Sequence, residues 1–179
     1  NTNTAPAEEY ANHRPTLAPW AAGGQLDVLE GASYPGAWEA CAGRVGEAAN
    51  DPARRKARCR ACYRLRFEEA AALAAEQGFD ALGTTLSVSP YQYTDVIREE
   101  LERAAAAASV RPLFEDYRPF YDEATHRSRE LGMYRQNYCG CRFSAAEAAA
   151  ERAERKAQRA AAREAEASAR AEERAAAED

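Results

Sequence analysis

The order of apolar and polar positions predicts helices that alternate with short strands. Strong helix formers fill residues 54–77 and 91–108, and Gly78 follows the first of these segments at a position where helices commonly end. Between them, the apolar segment 79–88 contains Thr and Val and is bounded by Gly78 and Pro90. This segment is the strongest predicted strand in the chain.

Weaker signals predict the remaining elements of the first 144 residues. They are a helix over 7–14 that Pro15 and Pro19 interrupt, a strand over 25–29, a loop or short helix over 33–50, a strand over 111–115, a helix over 121–131 that Gly132 closes, and a loop over 134–143. Strands that alternate with helices favour an α/β fold with a mainly parallel sheet and helices packed on it.

The last part of the chain has a different composition. Residues 145–179 contain no Leu, Ile, Val, Phe, Tyr or Trp, so this segment cannot build a core of its own. Ser144 and Glu147 form a capping-box pattern, which predicts a helix that starts there and extends to the end of the chain. The sequence therefore predicts an α/β domain over 1–144 and a charged, Ala-rich helical tail over 145–179.

Charge and hydropathy narrow the functional classes. The formal net charge is -5, which does not by itself suggest a nucleic-acid partner. Lys and Arg nevertheless cluster within residues 54–66, either as a solvated helix face with Glu partners or as a phosphate-contacting patch. No apolar run approaches the length of a membrane span, and there is no secretory signal pattern, so we expect a cytoplasmic protein without a membrane partner.

The cysteines suggest metal or redox chemistry. The chain has five, and Cys59 and Cys62 lie three residues apart on a predicted helix, so their thiols share one face. Thiolates suit zinc and iron-sulfur clusters, but a four-cysteine site needs two more ligands. The pair therefore fits either a structural zinc site completed by Cys139 and Cys141, or a cluster whose other ligands lie elsewhere.

The second pair, Cys139 and Cys141, is separated only by Gly140. Such a pair can form a strained disulfide that is easily reduced and suited to electron transfer, and glycine permits the tight backbone that this ring needs. The spacing is equally compatible with two metal ligands.

Several motifs occur together in a fixed order. They are Arg-Cys-Arg-Ala-Cys at 58–62, Gly-Phe-Asp at 78–80, Thr-Thr-Leu-Ser-Val-Ser-Pro at 84–90, Asp-Tyr-Arg at 116–118, Ser-x-Glu-Leu-Gly at 128–132, and Tyr-Arg-Gln-Asn-Tyr-Cys-Gly-Cys at 134–141. In order and spacing the chain resembles epoxyqueuosine reductases of the QueH type from residue 1 to about residue 144.

Two features depart from that family pattern. The family usually has a Gly-rich approach to its first Arg-Cys-x-x-Cys, whereas this chain has Arg-Arg-Lys-Ala at 54–57. The family also begins with a strand that ends in a Cys-Cys pair, and this sequence contains no such pair. We therefore expect that the chain lacks the N-terminal strand with its two cysteines and is inactive alone.

The resemblance implies a fold, a reaction and a cofactor. The fold is a Rossmann-like, HUP-type three-layer α/β/α sandwich, and the reaction is the reduction of epoxyqueuosine in tRNA to queuosine. A 4Fe-4S cluster would take half of its ligands from Cys59 and Cys62. Cys139 and Cys141 would form the redox-active pair or bind an additional iron. The implied partners are tRNA carrying epoxyqueuosine and an unidentified electron donor.

Asp116 is the remaining candidate for the site. It follows a predicted strand, where α/β proteins commonly place functional groups, and could act as an acid or a metal ligand. It could equally be a turn or N-cap residue before the helix at 121–131. The competing function for the whole chain is a non-catalytic zinc-binding or tRNA-binding protein with a four-cysteine structural site.

Overall fold

A computed structural model describes residues 7–24, 26–29, 35–45 and 51–178 of the chain. The chain divides into two compact units, residues 1–135 and 136–179. Its helices and strands are α1 (Ala7–Gly23), α2 (Pro35–Trp38), α3 (Pro52–Glu76), β1 (Ala81–Gly83), α4 (Thr94–Ala107), β2 (Arg111–Leu113), α5 (Tyr121–Glu130) and α6 (Arg142–Glu178). A π-helical turn (Glu39–Gly43) follows α2, and 3-10 turns occupy Leu86–Val88 and Arg118–Phe120.

Local signals set both ends of α3. The Asp51 side chain accepts a hydrogen bond from the backbone N–H of Ala53 at 2.9 Å, and Pro52 occupies the first turn, where its missing N–H costs nothing. At the other end Gly78 has a φ of +74°, a conformation that glycine adopts without strain. The helix predicted over 54–77 is therefore confirmed, with its start two residues earlier.

The core of the first unit lies between α3 and α4. The buried side chains of this core cluster are Tyr63, Phe67, Ala71, Val96, Ile97, Leu101 and Ala104. The members on α3 are four residues apart, and those on α4 also share one face of their helix. Ile97 and Leu101 are fully shielded from solvent. Burial of these two apolar faces fixes the side of α3 that turns toward α4.

A buried carboxylate adds a second link between the two helices. Glu100 of α4 is 2 % exposed and accepts hydrogen bonds from Arg60 at 3.0 Å, Arg64 at 2.9 Å and Arg103 at 2.9 Å. We call these four residues the Glu100 cluster. A buried carboxylate is tolerated when charged hydrogen bonds replace its water, and three guanidinium groups do so here.

Three of the seven basic side chains at 54–66, those of Lys56, Arg60 and Arg64, are engaged by acidic side chains of α4. Besides the Glu100 cluster, Arg60 contacts Glu99 at 2.6 Å and Lys56 contacts Asp95 at 2.7 Å. For these basic residues the structure favours the helix face with carboxylate partners over a free phosphate-binding patch. The partners come from the neighbouring helix, which spacing within α3 could not reveal.

The two strands form a parallel sheet in the register Ala81↔Arg111, Leu82↔Pro112 and Gly83↔Leu113, with α4 as the crossover. The α/β class is thereby confirmed. The strand predicted over 79–88 is only three residues long, because the Thr84 hydroxyl accepts a hydrogen bond from the Leu86 N–H at 3.2 Å and turns the chain into a 3-10 helix.

Two predictions for the first 30 residues are wrong. Helix α1 continues through Pro15 and Pro19 instead of ending before them. Each proline removes one helical hydrogen bond, and solvent can satisfy the freed carbonyls because the residues that carry them, Ala11 and Pro15, are exposed. Residues 26–29 are not a strand, because the Leu26 N–H bonds back to the Ala21 carbonyl at 2.9 Å and holds the chain against the end of α1. Gln25 lies outside the described residues.

Helix α6 belongs to the second unit and begins at Arg142, two residues before the predicted start at Ser144. The Ser144 hydroxyl donates to the Cys141 carbonyl at 2.9 Å and so joins the first turn instead of capping it. The domain boundary predicted at 144/145 stays a prediction. Within the part of the chain that the structure describes, no helix is long and apolar enough to cross a membrane.

Removing the distal part of α6 should leave the fold intact. Residues 152–170 are exposed, and Arg152 donates a hydrogen bond from α6 to the Asn137 carbonyl of the preceding loop at 3.2 Å. A chain that ends at Lys156 keeps this bond, so its free energy of unfolding should change by less than about 0.5 kcal/mol. Urea titration followed by circular dichroism measures the change. A loss of more than about 1 kcal/mol would show that the distal segment packs on the fold.

Candidate functional site

The first cysteine pair lies in the N-terminal half of α3. Cys59 and Cys62 are one helical turn apart, and both are reduced and partly buried. Cys59 packs against the core cluster, so its position follows the packing of α3 on α4. The preceding residue, Arg58, is 2 % exposed and brings a buried positive charge into the same turn. The spacing therefore places two thiols on one face of a helix, as predicted.

Two loops meet beyond the carboxyl ends of the strands. The 84–89 loop follows β1, the 114–118 loop follows β2, and Ser87 joins them by donating its hydroxyl hydrogen to the Glu115 carbonyl at 2.7 Å. Ser87 is completely buried. Because parallel strands present their carboxyl ends at the same edge of a sheet, this bond fixes the two motif loops side by side.

The core cluster connects these loops with the cysteine helix. Leu86 of the first loop and Phe114 of the second pack against the core cluster, as does Cys59. Three sequence motifs that are well separated along the chain thus share one packing centre. This arrangement builds a candidate site from α3 and the carboxyl ends of β1 and β2.

Asp116 lies in the second loop and forms a local ion pair. Its carboxylate accepts hydrogen bonds from the Arg118 guanidinium at 2.9 Å and from the Arg118 backbone N–H at 3.1 Å. The guanidinium bond, with help from the backbone bond, lowers the pKa of Asp116 below its usual range. Asp116 is therefore a carboxylate at neutral pH and stabilises a turn. Its role as an acid or metal ligand stays a prediction.

The second cysteine pair lies in the second unit, immediately before α6. The Sγ atoms of Cys139 and Cys141 are 3.8 Å apart, and Gly140 between them has a φ of +108°, which a residue with a side chain rarely adopts. Cys139 is exposed, whereas Cys141 is 4 % exposed. The hydrogen bond with Cys139, followed by burial, raises the pKa of Cys141.

No third ligand joins either pair in the described ranges: His, Cys, Asp and Glu side chains form no group of three that could hold a metal ion there.

Sequence reasoning missed Glu100, the buried acid that holds α3. The sequence did contain a signal for it, because Glu100 lies four residues after Val96 and three after Ile97 and so falls on the core-facing side of α4. It also missed Ser87, whose bond to the second loop joins residues far apart in the sequence.

Comparison with known proteins identifies a family and several relatives that this chain resembles. A family model described as epoxyqueuosine reductase QueH matches residues 1–147. The protein named epoxyqueuosine reductase QueH from Dehalococcoides mccartyi is 36% identical over 90 residues, which are 50% of this chain and 50% of that protein. Its namesake from Thermotoga maritima is 36% identical over 92 residues, 50% of this chain and 48% of the relative.

A relative of the same name from Staphylococcus epidermidis is 31% identical over 90 residues, 49% of this chain and 38% of that protein. The chain spans about half the length of the curated relatives it matches. The family model nevertheless covers more than half of the chain and includes both cysteine pairs and both motif loops. The chain therefore belongs to the epoxyqueuosine reductase QueH family.

Proposed function

We propose that the complete protein reduces the epoxide of epoxyqueuosine in tRNA to the cyclopentene of queuosine, the last step of that pathway. The observation that carries this proposal is the family match over residues 1–147, which contains Cys59, Cys62, Cys139 and Cys141. The partners would be tRNA carrying epoxyqueuosine and an electron donor of unknown identity, in the cytoplasm. In the complete protein the parallel sheet would extend into a Rossmann-like, HUP-type three-layer sandwich.

Cys59 and Cys62 fit the role of cluster ligands. Their thiols are one turn apart on a helix that the core cluster and the Glu100 cluster hold in place, and thiolates are the ligands that iron-sulfur clusters use. A 4Fe-4S cluster held by cysteines takes four of them, so two more would come from elsewhere in the complete protein. When bound, the cluster would supply single electrons.

Cys139 and Cys141 fit the role of a two-electron store. Removal of an epoxide oxygen as water requires two electrons and two protons, and oxidation of a dithiol to a disulfide releases that number of each. The two sulfur atoms are already neighbours at 3.8 Å, and Gly140 supports the turn between them. The geometry also suits two ligands of an additional iron.

Asp116 would serve as an anion and not as a proton donor. A general acid at neutral pH needs a raised pKa, whereas the Arg118 guanidinium lowers the pKa of Asp116. A carboxylate held in its charged form suits binding of a metal cation. The proton for the leaving oxygen would then come from another group.

The test is turnover by the complete protein, purified without oxygen. Incubation with tRNA that carries epoxyqueuosine and with a chemical reductant should yield queuosine, which mass spectrometry of the digested tRNA detects. Iron and sulfide should be present at about four atoms each per chain. A colourless protein with one zinc ion and no turnover would contradict the proposal and indicate the non-catalytic zinc protein. Binding of tRNA without turnover would indicate the tRNA-binding module instead.

A further inference from the structure

The two sulfur atoms of the second cysteine pair have unequal access to solvent. Cys139 is exposed, while Cys141, only two residues further along the chain, is 4 % exposed. Attack on a disulfide requires the incoming thiolate to approach one sulfur along the line of the S–S bond, so access decides which sulfur reacts. A reductant of protein size, or a small dithiol, can reach Cys139 in this geometry.

The buried sulfur has a backbone hydrogen-bond donor in place for a leaving thiolate. Cys141 directly precedes α6, and its Sγ accepts a hydrogen bond from the backbone N–H of Ser144 at 3.4 Å. Free N–H groups and the positive end of the dipole at a helix N-terminus stabilise a negative sulfur. The Ser144 hydroxyl donates to the Cys141 carbonyl at 2.9 Å and so holds this turn in place.

We infer that an external dithiol reductant attacks the oxidised pair at Cys139, with Cys141 as the leaving sulfur. The inference rests on the redox role proposed above. In the first step a donor thiolate bonds to the Cys139 Sγ, the Cys139–Cys141 bond breaks, and its electron pair stays on the Cys141 Sγ, which takes up a proton.

In the second step the other donor thiolate attacks the donor sulfur of the mixed disulfide. The donor closes its own disulfide and Cys139 leaves as a thiolate. The donor has then lost two electrons, and the pair has gained them. Because Cys139 is exposed, successive reductant molecules would reduce the disulfide there without reaching the buried Cys141.

The test compares Cys139→Ser and Cys141→Ser in the full chain, each reduced and then exposed to glutathione disulfide with a chelator present. By microscopic reversibility the attacked sulfur is also the faster nucleophile, so Cys141→Ser should form its mixed disulfide at Cys139 at least about ten times faster than Cys139→Ser does at Cys141. Mass spectrometry of the tryptic peptide 136–142 measures each adduct separately from the other cysteines. In denaturant the two rates should become similar, which would assign the difference to the fold.

Equal rates in the folded chain, or a faster reaction in Cys139→Ser, would overturn the inference. Oxidation of the unsubstituted chain distinguishes this failure from failure of the redox role. If peptide 136–142 loses two mass units on mild oxidation, the pair forms a disulfide and only the order of attack is in question. If no disulfide forms while the thiols remain accessible in denaturant, the redox role and the inference both fail.

Discussion

Replacing Glu100 by glutamine should lower the free energy of unfolding by about 3 kcal/mol, because it leaves three guanidinium groups around a neutral amide. The same bonds predict a pH dependence. Burial alone would raise the pKa of Glu100, but the hydrogen bonds from Arg64, Arg103 and Arg60 outweigh it and lower the pKa from 4.5 to about 2. A carboxyl group with a lowered pKa contributes stability above its unfolded pKa and loses it as the pH falls through the folded value.

Urea titrations at about pH 7, about pH 4 and about pH 2.5 measure both effects, because these values lie above and within the interval between the unfolded and folded pKa. Urea is uncharged, so unlike guanidinium chloride it leaves the ion pairs unscreened. The unsubstituted chain should lose stability between pH 4.5 and about 2, while Glu100→Gln should lose less over this range. The matched control is Glu99→Gln, since Glu99 is 56% exposed and contacts Arg60; we expect a change below about 1 kcal/mol. Equal effects of the two substitutions would contradict the importance of burial.

Replacing Cys59 or Cys62 by serine in the complete protein should abolish both the cluster and turnover. Each change removes a thiolate, and a serine hydroxyl is a poor ligand for iron at neutral pH. Iron and sulfide analysis, with the visible absorbance of the anaerobic protein, measures the loss of the cluster. Circular dichroism must accompany it, because Cys59 packs against the core cluster and its replacement could disturb the fold.

Cys41 provides the control for this pair. It belongs to none of the family motifs, and it lies in the π-helical turn, where its thiol donates to the Trp38 carbonyl at 3.5 Å. Cys41→Ser should therefore retain full iron content and full turnover. A folded Cys59→Ser protein that keeps the iron and sulfide of the unsubstituted enzyme would remove Cys59 from the ligand set.

The elements that the sequence predicted correctly carry their signals locally. Helix α3 was predictable because its helix formers end at Gly78, and its cysteines share a face because of their spacing alone. The strand over 79–88 was predicted too long because apolar and β-branched composition does not report the hydrogen bond from the Leu86 N–H to the Thr84 hydroxyl. A single local bond there outweighed the strand propensity of the residues after Gly83.

The missed features depend on contacts between distant residues. Arg60 and Glu100 are 40 residues apart, and Ser87 and Glu115 are 28 residues apart. A single sequence gives the periodicity of each helix but not which residues of one helix face which residues of the next. The motif loops were therefore recognisable as motifs, while their meeting at one edge of the sheet required the structure.

The Glu100 cluster would also affect how easily the proposed metal centre assembles. Arg60 lies between Cys59 and Cys62, and its bond to Glu100, with that of Arg64, resists rotation and sliding of α3 against α4. The two thiols would therefore keep their orientation before a metal is bound. Because little conformational freedom would remain to be lost on coordination, Glu100 would lower the entropic cost of metal binding at the proposed site.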